Sequence, residues 1–154
     1  MKIDEVYMSE ALKEARKAFD SDEVAVGAII VDKNKIIARA HNQTRLLKDP
    51  TAHAEMIALT QAANFLKTER LLSCTLYVTI EPCPMCAGAM ILARVKRLVF
   101  GVADPKSGAC GSVMDILTER RLNHRINVTR GILSEACGSL ISEFFQRQRQ
   151  QGKK

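Results

Sequence analysis

No stretch of this 154-residue chain approaches the ~20 consecutive apolar residues that a membrane-spanning helix requires. Its opening, "MKIDEVYMSEALKEARKAF", is charged throughout and lacks the apolar core of a signal peptide. Repeats and low-complexity linkers are missing too, which leaves one domain over residues 1–154 as the expectation. Nor is the cysteine count even: five cysteines without an export signal fit reduced thiols in the cytoplasm, not a disulfide framework. What is present is globular. With 47% hydrophobic and 26% charged residues, the chain has the composition of a folded protein. At this length it buries ~68–70% of its unfolded surface and needs no disulfide staples.

Acidic residues are absent from the last eleven positions, "FFQRQRQQGKK", which carry Arg147, Arg149, Lys153 and Lys154. "TERRLNHRINVTRG" adds Arg120, Arg121, Arg125 and Arg130, and the formal net charge is +6. Such a balance suits a polyanionic partner. It equally suits a solvated helix end, where the dipole favours Lys and Arg. Charge alone favours the second reading.

Helical spacing of Ile3, Val6, Tyr7, Ala11, Leu12, Ala15, Ala18 and Phe19 predicts a helix over 3–19. "EVAVGAIIVDKNKIIARAHN" reads as a hairpin turning at "DKNK". "TAHAEMIALTQAANF" predicts a helix with Thr51 as N-cap, "CTLYVTI" a buried strand, and "PMCAGAMILAR" a helix with Pro84 in its first turn. "VKRLVFGV" is a further strand. A Gly-rich loop "DPKSGACGS" follows, then a short helical stretch, a last strand "RINVTRG" and a closing helix "SEACGSLISEFFQRQRQ". This order predicts an α/β sandwich on a mixed sheet of five strands.

"IEPCPMCAGAM" then falls at a strand-to-helix turn, where functional sites in such sheets gather. A thioredoxin-like redox pair, half of a structural zinc site and part of a catalytic metal centre all fit a Cys-x-x-Cys there. "TAHAEM" upstream narrows the choice. His53-x-Glu55 alone is a weak signal, but its pairing with Pro82-Cys83-x-x-Cys86 some thirty residues on is a strong one. His53, Cys83 and Cys86 are three ligands of the kind zinc takes, with a fourth position left for water. Residues two apart on a helix point ~200° away from each other, so Glu55 is placed to reach that water as a general base, not to join His53 as a ligand. Cys74, Cys110, Cys137, His41 and His124 have the chemistry of a fourth ligand, but none has its spacing.

These stretches resemble the signature of zinc-dependent deaminases of the cytidine-deaminase fold. Within that superfamily the chain is similar to the bacterial tRNA-specific adenosine deaminase family over about residues 5–150. The resemblance is carried by "VGAIIV", "HNQT", "HAEMIAL", "TLYVTIEPCPMCAGAMILARVKRLVFGVADPKSGACGS", "LNHR" and "FFQRQRQ". Free-base deaminases such as those acting on guanine share the zinc-site portions. The "DPKSGACGS" loop, "LNHR" and the basic end point toward the RNA enzymes. Cys110 stands where that family has alanine.

The resemblance implies a three-layer α/β/α sandwich, one Zn2+ per subunit on His53, Cys83 and Cys86, and Glu55 as proton shuttle. It implies conversion of adenosine to inosine, with Asn42 and the backbone N–H of Ala54 contacting the target nucleotide. Asp104 and Lys106 lie near the RNA by the same resemblance. Phe144, Arg147 and Arg149, in a basic helix end and tail at about 144–154, are expected RNA contacts. From "HNQT" alone Asn42 reads as an ordinary turn residue, and His124 as a strand-edge residue. The implied partner is a tRNA anticodon stem-loop whose wobble base is splayed out. Two subunits pair as a homodimer, for which the "CAGAMILARV" face is one candidate surface and the core its other use. A free-base deaminase and a zinc-stabilised RNA-binding module are the competing readings. Glu55 argues against the module, since a structural metal needs no proton shuttle.

Overall fold

A computed structural model describes residues 2–153. The first helix, α1 (Lys2–Asp20), turns its small residues Ala11, Ala15 and Ala18 inward, all fully buried. Gly27, which opens β1 (Gly27–Asp32), explains how closely α1 approaches: a Cβ there would lie 2.1 Å from the Ala11 carbonyl oxygen. β1 turns into β2 (Lys35–His41) through Lys33 and Asn34, both at positive φ (50° and 64°), the geometry that matches a two-residue turn to strand twist. The predicted hairpin is therefore present.

A short helix, α2 (Thr44–Leu47), follows and is not anticipated by the sequence pattern. No side chain caps it locally. Instead the buried Glu23 carboxylate accepts the N–H groups of Arg45 (3.1 Å) and Leu46 (2.8 Å), satisfying amides that a helix start leaves unpaired. Helix α3 (Ala54–Leu66) begins later than expected, with His53 and not Thr51 at its N-cap. The Thr51 hydroxyl is used elsewhere, donating to Asp49 Oδ1 at 2.7 Å.

Strand β3 (Cys74–Ile80), helix α4 (Pro84–Leu92), strands β4 (Arg97–Val102) and β5 (Asn127–Arg130) and helix α5 (Ser134–Gln150) complete the chain. The sheet order is β2-β1-β3-β4-β5: β1 pairs antiparallel with β2 and β3, while β3-β4 and β4-β5 are parallel. Period-two alternation divides its side chains between two layers. Ala28, Ile30, Leu76, Val78, Leu98 and Phe100 pack with α3 and α4, and Ile29, Val31, Tyr77 and Val99 with α1 and Cys137 of α5. The mixed five-stranded three-layer sandwich matches the expectation. One element does not: the helical stretch expected after the Gly-rich loop is a series of turns around an isolated Cys110–Asp115 bridge.

Candidate active site

Strand β3 and the β2–α3 connection deliver two helix starts to one spot. His53 is the N-cap of α3 and Cys83 the N-cap of α4, each with extended backbone. Neither side chain caps its own helix, which frees both for another partner. Pro84 fits the first turn of α4, where no N–H is needed, and Cys86 follows within that turn.

His53 Nδ1 lies 3.6 Å from Cys83 Sγ and 3.5 Å from Cys86 Sγ. A tetrahedral zinc with ordinary Zn–S and Zn–N bonds places its nitrogen and sulfur ligands about 3.5 Å apart. Both nitrogen–sulfur distances thus match that ion, and the three donor atoms lie within 4.8 Å of one another. They are the residues grouped as potential metal ligands among those described, and Glu55 is not in the group. All five cysteines are free.

Electrostatics follow from burial and neighbours. A hydrogen bond from the Cys86 thiol, assisted by His53, pulls Cys83 down to about 4. The same bond, together with burial, drives Cys86 strongly up. The Cys83 thiolate raises His53. Burial pushes the Glu55 carboxyl up to about 7, against the pull of His53, and that residue is only 3% exposed. A group poised near neutrality can both take and give a proton.

His53, Glu55 and Cys83 floor a cleft of about 820 Å³, with Cys86 fully buried beneath them. Asn42 lines it, is itself buried, and places its amide 3.5 Å from the Thr44 hydroxyl. Ala54 is fully buried and contributes no side chain to the lining. Lys106 lines the cleft and is exposed. Asp104 lines it too, but its carboxylate is engaged within the loop. It accepts the N–H groups of Lys106 (3.0 Å) and Ser107 (3.3 Å) and the Ser107 hydroxyl (2.8 Å).

Sequence reasoning passed over Glu81, which shapes this loop. Its buried carboxylate accepts the N–H groups of Asp104 (3.0 Å), Cys110 (2.9 Å) and Ser112 (3.0 Å), and the Ser112 hydroxyl. Burial raises its carboxyl, but those donors outweigh burial and hold it below the usual range. Gly108 must be glycine because a Cβ there would sit 2.3 Å from Glu81 Cδ. On the other side of the loop, Arg130 donates to the Cys110 carbonyl at 2.9 Å. Cys110 is itself buried.

The C-terminal helix corrects two expectations. Phe144 is 1% exposed and packs edge-on against Phe19, so its ring belongs to the core and not to an RNA surface. Arg147 lies 4.0 Å over the Phe19 ring and donates to the Phe19 carbonyl at 2.6 Å; it is a packing residue outside the cleft. The cleft-facing stripe is Gly138, Ile141, Ser142, Phe145, Gln146 and Arg149, at helical spacing. Arg149 is among these cleft-lining residues, and so is Phe145, 43% exposed, which the sequence reading did not single out. Counting from the buried Leu140 puts Phe144 and Gln148 on the core face, a signal already in the sequence. His124 is turned away, its ring 2.7 Å from the Val95 carbonyl. Lys154 lies outside the described residues.

A mixed sheet carrying a His-Cys-Cys triad and a buried glutamate at two helix starts defines a deaminase. The profile of the MafB19-like deaminase family matches residues 3–149, and the chain belongs to that family. Among individual relatives, it is 50% identical to the tRNA-specific adenosine deaminase of Bacillus subtilis, over 99% of this chain and 95% of that one. It is 48% identical to the enzyme of the same name from Aquifex aeolicus, over 94% and 95% of the two chains. A solved structure of a tRNA:A34 deaminase, described with A-to-I editing at the wobble position, superposes with a TM-score of 0.85 at 42% identity. That match covers 87% of this chain and 97% of the other. The guanine deaminase of Nitrosomonas europaea superposes at 0.76 with 27% identity, over 91% and 83%.

Proposed function

We propose that this enzyme converts adenosine to inosine at the wobble position of a tRNA anticodon loop, using zinc held by His53, Cys83 and Cys86. The observation that carries the chemistry is the triad at tetrahedral ligand spacing beside buried Glu55 on the floor of an open cleft. Zinc held by these three residues would supply Lewis acidity and lower the pKa of an attacking water. Glu55 is placed to take a proton from an attacking water as the water's oxygen bonds to carbon 6 of adenine. It passes this proton to ring N1, then moves the second proton to the exocyclic amine. The C6–N bond breaks, ammonia leaves, and the carbonyl of inosine remains. Asn42 orients the base, its amide both donating and accepting without adding charge.

The cleft mouth favours RNA over a free base. Exposed Phe145 offers a stacking face for a flanking base, and Lys106 and Arg149 offer charge for phosphates. The high identity to tRNA-specific relatives, against 27% to the guanine enzyme, supports the same substrate. Residues 1–154 act as one deaminase domain in this reading, in the cytoplasm where tRNA is processed. No helix among the described residues is long and apolar enough to cross a membrane. A homodimer is part of the proposal: the outer face of α4 exposes Leu92 (81%) and leaves open space at Gly88.

Incubating purified protein with total tRNA and sequencing for adenosine-to-inosine changes tests the function. Conversion confined to wobble adenosines is expected. Turnover of free guanine or adenosine with none on tRNA would replace this reading with the free-base one.

A further inference from the structure

The basic C-terminal segment is folded back onto an acid in the α1–β1 turn. The Asp22 carboxylate accepts Lys153 Nζ (2.7 Å), Gln148 Nε2 (2.7 Å) and the Arg45 guanidinium (3.1 Å), and Arg147 lies 3.7 Å away. Arg45 also donates to the Asp22 carbonyl (2.8 Å) and to Gln148 Oε1 (3.0 Å), closing a triangle. Gln148, at 2% exposure, sits inside it with both ends of its amide used. The triangle joins segments more than a hundred positions apart in the chain. One side continues into Val24, Val26, Asn42 and Thr44, which wall the cleft; the other carries Phe145, Gln146 and Arg149, which wall it opposite.

We infer that Asp22, Arg45 and Gln148 are positioning residues that set the end of α5 across the mouth of the cleft, and so fix where Phe145 and Arg149 meet the RNA. The inference rests on the proposed RNA substrate. Besides its 3.7 Å approach to Asp22, Arg147 is held by the Phe19 ring and carbonyl, and Leu140 and Phe144 pack on α1, so the helix stays docked when the triangle is opened and only its last turn is released. Chemistry at Glu55 lies outside the triangle's reach. The effect belongs in the Michaelis constant for RNA.

The sign of that effect separates this role from plain electrostatics. Removing an acid from a basic surface strengthens attraction for a polyanion; opening the triangle weakens RNA binding instead. Asp22 has φ +60°, so Asp22→Gly deletes the side chain with no backbone strain, and Asp22→Asn preserves both the conformation and an acceptor oxygen. Steady-state deamination of an anticodon stem-loop would be measured for these variants, Arg45→Met and the Asp22→Gly/Arg45→Met double variant, with zinc content and melting temperature alongside. Asp22→Gly is expected to raise KM about three- to tenfold with kcat held within about twofold, the range of a small exposed polar network. Asp22→Asn should lie between it and the unmodified protein. The double variant should be no worse than the larger single effect, because both remove one unit. A lower or unchanged KM in Asp22→Gly overturns the inference, as does a loss carried by kcat. Should Asp22→Gly not fold, Asp22→Asn alone decides by the same sign. If the unmodified protein leaves the stem-loop untouched, the proposed function itself fails, and this role with it.

Discussion

At the floor of the cleft, His53 and Cys83, with the buried Cys86 beneath them, project from the first residues of two helices whose backbones are fixed by the central sheet. The rim is formed by the loop carrying Lys106 and the end of α5. They are held by side-chain carboxylates: Glu81 under the loop, Asp22 beside the helix end. The floor is thus positioned by backbone and the rim by buried or half-buried acids. A rigid floor suits a reaction that needs ligands within fractions of an ångström. A rim held by discrete bonds can be altered without touching the metal.

The sharpest way to break the floor is to remove a ligand. Cys83→Ala is expected to lose bound zinc and all measurable turnover, whereas protein purified without added metal should carry close to one zinc per chain by elemental analysis. A disulfide between Cys83 and Cys86 in active protein would return the site to redox chemistry. Chelation should reproduce the Cys83→Ala loss, and zinc should restore it in the unmodified protein alone.

Glu55→Gln tests the floor's second component with the metal kept. The amide preserves shape but cannot accept a proton, so the single-turnover rate should fall by about 10²–10⁴. Zinc content should not change. Near-normal turnover, or loss of metal, would assign Glu55 a different role.

Glu81→Gln carries the comparison from floor to rim. One carboxylate oxygen becomes an amine facing backbone N–H or hydroxyl donors, which strands at least one buried group at a cost of about 1–3 kcal/mol. A lower melting temperature and a raised KM for RNA should follow, with zinc retained. Loss of zinc in this variant would show that floor and rim are not separately held.

How far this division could be read beforehand depends on the range of the contacts. The hairpin, the sheet and the triad follow from local patterns: alternation in "VGAIIVD", the turn at Lys33-Asn34, and a His-x-Glu and Cys-x-x-Cys at helix starts. The start of α3 at His53 and the helix α2 were hidden because each depends on a distant or side-chain partner, Asp49 for Thr51 and Glu23 for Arg45 and Leu46. Glu81 was invisible for the same reason, since its partners lie 23 to 31 positions away. Phe144 is a core residue while Phe145 lines the cleft, a difference that helical phase carries. The basic tail divides in a way its sequence does not announce: Lys153 and Arg147 lie against Asp22 in the α1–β1 turn, while Arg149 faces the cleft.

That tail supplies the finest test of the rim. Arg149 faces the cleft, while Lys153 is paired with Asp22 at 2.7 Å, so two bases four positions apart have different surroundings. A base that neutralises a phosphate releases a condensed counterion, worth about −0.7 in the log–log slope of affinity against salt for single strands. Arg149→Gln should therefore flatten the slope for the anticodon stem-loop by about 0.7. Lys153→Gln should leave the slope where it is, since its charge is already compensated within the protein. Filter binding or fluorescence anisotropy across a salt series measures both. Equal flattening in the two variants would mean that the tail leaves Asp22 to reach the RNA, and an unchanged slope in Arg149→Gln would remove that residue from the rim.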